Sequence, residues 1–164
     1  KLLLETNSNI KIGFKMAPIL EVYMFDEIAD IISKTDNIKF LTCCNTLGNC
    51  LLVDYKKESS LIKPNDGFGG LGGNYLKPVA LANVRQFYNR LNSFGIDIIG
   101  VGGVKTGVDA FEYLLAGASS VQVGTGFAHD GLGVFAKINT ELSEILKEKG
   151  YSSILQARGR LKTL

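Results

Sequence analysis

The sequence predicts an α/β fold built on a parallel β-sheet, and three observations carry that prediction. Four short runs are near-continuously apolar, Ile10–Met16, Ile38–Cys44, Ile96–Val101 and Ser120–Gly126, as expected of strands buried on both faces. Segments with apolar residues at helical spacing lie between and after them. The last two runs both finish in glycine-rich tips, Val101-Gly102-Gly103-Val104 and Val123-Gly124-Thr125-Gly126. Strand followed by helix, repeated along the chain, is the pattern of right-handed βα units.

Each element can be justified in turn. Leu2–Leu4 lead straight to the first strand without a cap, so Lys1 is expected to fall inside a helix and the sequence to be cut there. In the first strand Ile10, Ile12 and Phe14 alternate with Lys11, Gly13 and Lys15, which sets Lys15 at the strand's end on the face opposite the aliphatics. Phe25, Ile28, Ala29 and Ile32 form the stripe of the helix that follows. After the second strand the connection is longer. It holds the strand-like pieces Leu51–Val53 and Leu61–Lys63, then Gly67–Gly73, and reads as an inserted β-hairpin or flap. Glycines that dense imply close backbone approach or a mobile loop. Pro78 sets back the next helix, whose stripe is Leu81, Val84, Phe87, Tyr88 and Leu91. Phe111, Leu114 and Leu115 mark a third helix with Gly117 as its C-cap, and Gly133–Lys149 a fourth, stopped by Gly150.

Four βα units are half of an eight-unit (β/α)8 barrel, a fold of about 250 residues. The expectation is therefore a single domain over residues 1–164 that is the C-terminal half of a TIM barrel, with the N-terminal half absent. The formal charge of +2 makes no case for nucleic acid or an anionic membrane surface, and no apolar run reaches the span of a bilayer. Cys43, Cys44 and Cys50 are odd in number and lack metal-ligand spacing, which points to reduced cysteines in a cytoplasmic protein.

The chemistry is expected at the strand ends. Glycine lets backbone amides approach and donate to a phosphate, and the loops after the last two barrel strands are the usual place for one. That nominates Gly102, Gly103, Gly124 and Thr125, the last with a hydroxyl besides. An ammonium at the barrel mouth, Lys15, can stabilise negative charge on a reduced flavin; a snorkelling lysine fits the spacing equally well. Asn45, Thr46 and Asn49 could read the carbonyls and carboxylate of a small polar ligand, or form a polar turn. Gly67–Gly72 formally fits G-x-G-x-x-G but follows no central strand and has no acidic residue at ribose spacing, so it is not a dinucleotide fingerprint. His129, the single histidine, reads as a surface loop residue.

Taken in order, Lys15-Met16-Ala17-Pro18, Cys44–Asn49, Ile62-Lys63-Pro64, Gly67–Gly73, Pro78–Val84, the two glycine tips and the terminal Leu161–Leu164 resemble class 1A dihydroorotate dehydrogenases, over the second half of that family's barrel. The resemblance implies FMN, its phosphate on Gly102, Gly103, Gly124 and Thr125, with Lys15 beside the isoalloxazine and Cys44 and Gly73 in backbone contact. It implies that Asn45 and Thr46 hold dihydroorotate or orotate, that fumarate is the electron acceptor and succinate its product, and that a homodimer forms. The implied enzyme is an oxidoreductase acting on a CH–CH bond in pyrimidine biosynthesis. Thr46 stands where the family usually has serine, and Ala17 where it has a second proline. The family's catalytic base is a loop cysteine of the other half, so no catalytic residue is assigned here, and this chain alone is expected to be inactive. Two other readings stay open: a non-flavin phosphate-binding barrel such as an aldolase or isomerase, and an inactive fragment that self-associates.

Overall fold

A computed structural model describes residues 10–63 and 65–163. The helix expected around Leu2–Leu4, Pro64 of the Ile62-Lys63-Pro64 motif and the final Leu164 lie outside the described residues.

Four strands form one parallel sheet: β1 (Ile12–Lys15), β2 (Ile38–Cys43), β7 (Asp97–Val101) and β8 (Ser120–Gln122). Their order in the sheet, β1-β2-β7-β8, is their order in the chain. A doubly wound sheet reverses direction at a switch point; this one advances without reversal, the course of a barrel wall. Helices α1 (Val22–Ser33), α2 (Lys77–Leu91) and α3 (Gly107–Ala116) follow β1, the β2 connection and β7 in turn. The core is sealed between that helical layer and the sheet. Leu41 and Ile98 of the strands, Val84, Phe87 and Leu91 of α2, and Tyr113 of α3 are fully buried there. At about 1.5–3 kcal/mol for each large apolar side chain removed from water, this layer carries most of the stabilisation.

The stripes read from sequence face this core: Phe25, Ala29 and Ile32 of α1 are buried. Gly117 caps α3 in the left-handed conformation, with φ 119°, as expected of a terminal glycine. Past β8 lie α4 (Thr125–Asp130), α5 (Gly133–Glu148) and α6 (Ile154–Ala157). The tail folds back on α3: Gly159 and Leu161 donate to the carbonyls of Leu114 and Leu115, and Arg158 reaches the Gly117 carbonyl at 2.9 Å.

Four expectations need correction. The last strand ends at Gln122, not Gly126, because Gly124 turns the chain (φ −106°, ψ −83°) directly into α4. His129 is exposed in the last turn of α4, not in a loop. Pro78 does not set back its helix: α2 begins at Lys77, and the proline sits in the first turn, where its missing N–H is not needed. In the flap, β3 (Leu47–Leu51) pairs antiparallel with β6 (Phe68–Leu71), so the glycine-rich segment is itself a strand. Between them β4 (Val53–Asp54) and β5 (Ser59–Ser60) make a small ribbon, and Leu61–Lys63 is not a strand. The physical reason for those glycines is close approach. A methyl group at Gly70 would stand 2.2 Å from the Thr46 hydroxyl, and one at Gly69 2.7 Å from Ile62. Among the described residues no helix is long and apolar enough to cross a membrane.

Candidate functional site

The C-terminal ends of β1, β2 and β7 are tied to one another by backbone bonds. Met16 N–H donates to the Thr42 carbonyl at 2.9 Å, Asn45 N–H to Met16 at 2.8 Å, and Cys44 N–H to Val101 at 3.2 Å. The loop after β1 is anchored by the buried Asn83 of α2. Its amide accepts from Ile19 N–H and donates to the Ile19 and Val79 carbonyls, which satisfies the side chain completely at a site where an unpaired amide would be costly.

Above these ends lies a cleft of about 170 Å³. Lys15, Cys44, Asn45, Thr46, Gly73, Gly102, Gly103, Gly124 and Thr125, all named from sequence for binding, line it together. Asn49 does not; it is exposed on β3, with φ 59°. The flap closes one side. A methyl on Gly103, whose φ is +69°, would stand 3.0 Å from the Gly73 carbonyl, and one on Gly73 3.7 Å from Thr125. Gly124 differs, since a methyl there would meet no atom within 4 Å.

The amides of Gly102, Gly103 and Gly124 donate to no backbone carbonyl among the described residues. Amides without a backbone acceptor at strand ends that line one cleft, with an exposed lysine at the rim, suit an anion. The cysteines are not its chemistry. Burial pushes the Cys44 thiol up to about 11, against the opposing pull of the Lys15 ammonium, so it is neutral at pH 7. Burial, with Cys44 adding, pushes Cys43 up as well. Both thiols are therefore held in the neutral form by burial, which leaves neither poised as a base at neutral pH.

Behind the cleft sits a polar network that sequence reasoning missed. Asp109 accepts from the Lys105 and Thr106 amides, both at 2.9 Å, while its own N–H donates to the Thr106 hydroxyl, a capping box at the start of α3. Lys77 pairs with Asp109 and Glu112. Burial works against ionisation of Asp109, yet Lys77 and the amide and hydroxyl donors outweigh it and hold the carboxyl below its ordinary value. Lys77 is raised in turn, burial being outweighed by its two carboxylates. Tyr113, fully buried, donates from its hydroxyl to the Gly102 carbonyl at 2.7 Å. Its phenol is pushed up chiefly by burial and so remains a donor. The Thr106-x-x-Asp109 spacing could have revealed the cap; nothing in the sequence signals Tyr113.

Comparison with known proteins places this geometry. The family model described as Dihydroorotate dehydrogenase matches residues 2–146. The dihydroorotate dehydrogenase (fumarate) of Kluyveromyces lactis is 52% identical over 153 residues, 93% of this chain and 48% of that protein. Dihydroorotate dehydrogenase A (fumarate) of Lactococcus lactis subsp. cremoris is 47% identical over 153 residues, with 93% and 49% covered. The crystal structure of the Eimeria tenella DHODH in complex with ferulenol superposes with a TM-score of 0.75 at 30% identity, covering 95% of this chain and 39% of that one. The chain thus spans about half the length of the relatives it matches.

Proposed function

Because this chain belongs to the dihydroorotate dehydrogenase family, we propose that it forms the phosphate-holding half of a cytoplasmic dihydroorotate dehydrogenase (fumarate). The reaction proposed is oxidation of (S)-dihydroorotate to orotate, with FMN as cofactor and fumarate, reduced to succinate, as acceptor. One observation carries this reading: nine residues drawn from four strand ends and the flap meet at a single cleft.

The residues present fit FMN. Gly102, Gly103 and Gly124 offer free amides, Thr125 adds a hydroxyl, and glycine at 103 keeps clear the space a side chain would fill. These four would hold the phosphate, with the backbone of Cys44 and Gly73 beside the flavin. When bound, FMN supplies hydride chemistry, taking reducing equivalents from dihydroorotate and delivering them to fumarate. Lys15 would place positive charge where the reduced ring gathers electron density. Asn45 and Thr46 would orient the substrate; Asn45 is already committed, its carbonyl oxygen accepting from Thr46 N–H at 3.0 Å. The base that removes the substrate proton is expected in the barrel half that precedes these residues. Exposed apolar side chains along the flap, Leu52 (60%), Val53 (61%) and Tyr55 (79%), suit the contact face of a homodimer.

The test is direct. The full-length protein is expected to be yellow as purified and to reduce fumarate in the presence of dihydroorotate; a colourless protein without that turnover would overturn the proposal. Lys15→Ala should slow flavin reduction by about 100-fold or more. Its unfolding free energy should stay within about 0.5 kcal/mol of the parent. Parallel loss of both would make Lys15 a structural residue instead.

A further inference from the structure

We propose that Tyr113 is a positioning residue that aims the Gly103 amide into the cleft and thereby sets the preference of the site for a phosphorylated flavin. The inference rests on reading the cleft as a flavin-phosphate site.

The argument begins with the peptide plane. The Gly102–Gly103 bond is trans, so the Gly102 carbonyl and the Gly103 N–H point in opposite directions. Gly102 has φ 137° and Gly103 φ 69°, conformations that the backbone of glycine visits freely and among which it can interconvert. Left alone, a Gly-Gly peptide would flip at little cost. Tyr113 removes that freedom. Its hydroxyl donates to the Gly102 carbonyl at 2.7 Å from the helical side of the sheet, so the carbonyl is drawn away from the cleft and the Gly103 N–H is turned towards it.

The tyrosine has no freedom of its own. It is fully buried, and its ring lies over Gly100 of β7, where an added methyl would stand 2.4 Å from the ring. Gly100 makes room for the ring, the ring fixes the hydroxyl, and the hydroxyl fixes the peptide. Tyr113 does not line the cleft, so whatever it contributes to binding passes through Gly102 and Gly103.

The experiment compares FMN with riboflavin, which lacks the phosphate, by fluorescence titration of the full-length apoprotein. Tyr113→Phe keeps the ring and deletes only the hydroxyl. It should weaken FMN binding by about tenfold, the value of one well-placed hydrogen bond, and leave riboflavin binding unchanged. Loss of the same factor for both ligands would mark Tyr113 as merely structural and overturn the inference. So would an FMN preference that the substitution leaves intact. Wild-type protein that binds riboflavin as tightly as FMN would overturn the phosphate reading itself, and this inference with it. Should the variant fail to fold, wild-type protein labelled with 15N-glycine can be titrated with inorganic phosphate. The Gly103 amide resonance should move with saturation, and an unmoved resonance would refute the proposal.

Discussion

Two glycines of the cleft carry different physical burdens, although the sequence presents them alike. Gly103 sits at φ +69° with the Gly73 carbonyl 3.0 Å from where a methyl would be, whereas Gly124 has φ −106° and open space around it. Alanine at 103 must accept left-handed strain and push the flap end away; alanine at 124 meets neither demand. Gly103→Ala should therefore destabilise the full-length apoprotein by about 1–3 kcal/mol and weaken FMN binding. Gly124→Ala should leave urea stability within about 0.5 kcal/mol of the parent. Equal unfolding midpoints for the two variants would contradict this assignment. At this scale the sequence was readable in which residues meet: Lys15 and the glycine tips, singled out at strand ends, line one cleft. Tyr113 was not readable, because its partner Gly102 is set by the way α3 lies on β7, and its own neighbours Glu112 and Leu114 give no hint of it.

Helix α3 begins on a capping box that is also an electrostatic anchor. Asp109 has a folded-state pKa below its unfolded value, so its contribution is fully present above about pH 3.9 and is lost as pH falls through the lower folded value. Lys77 runs the other way: its raised value gives a contribution held below about pH 10.4 and lost only as pH rises above it. Urea unfolding midpoints followed from pH 7 to pH 2 should show an acid limb beginning at roughly pH 4. Asp109→Asn should lower stability at pH 7 by about 2 kcal/mol and flatten that limb; a limb of undiminished slope would count against the network. Element boundaries, by contrast, were only partly legible. Ser120–Gly126 reads as one strand, and only the backbone turn at Gly124 shows otherwise. Pro78 was read as a breaker because its rule depends on position: it disrupts a helix interior and suits a first turn. The flap strand β6 escaped because its glycines, poor strand formers, are selected by contact with Thr46 and Ile62 across the chain.

The whole sheet leaves its outermost strands, β1 and β8, each paired on one side only among the described residues. Lys15 and Gly124 stand at those two margins, so the cleft is walled by the flap but open laterally. The 164-residue chain on its own should therefore hold FMN weakly, with flavin fluorescence unquenched at micromolar protein, even though the residues proposed to hold the phosphate line the cleft. Stoichiometric quenching by this chain alone would show that the remaining walls are dispensable. The strand order carries one more consequence. Because every strand of the sheet docks beside the strand of that sheet made just before it, the pairings can close in the order of synthesis, β2 with β7 waiting longest because the flap and α2 lie between them. On a ribosome, such a wall can be laid course by course as the chain emerges. The tail, which must reach back to Leu114 and Leu115, is then the late step that locks the third helix in place.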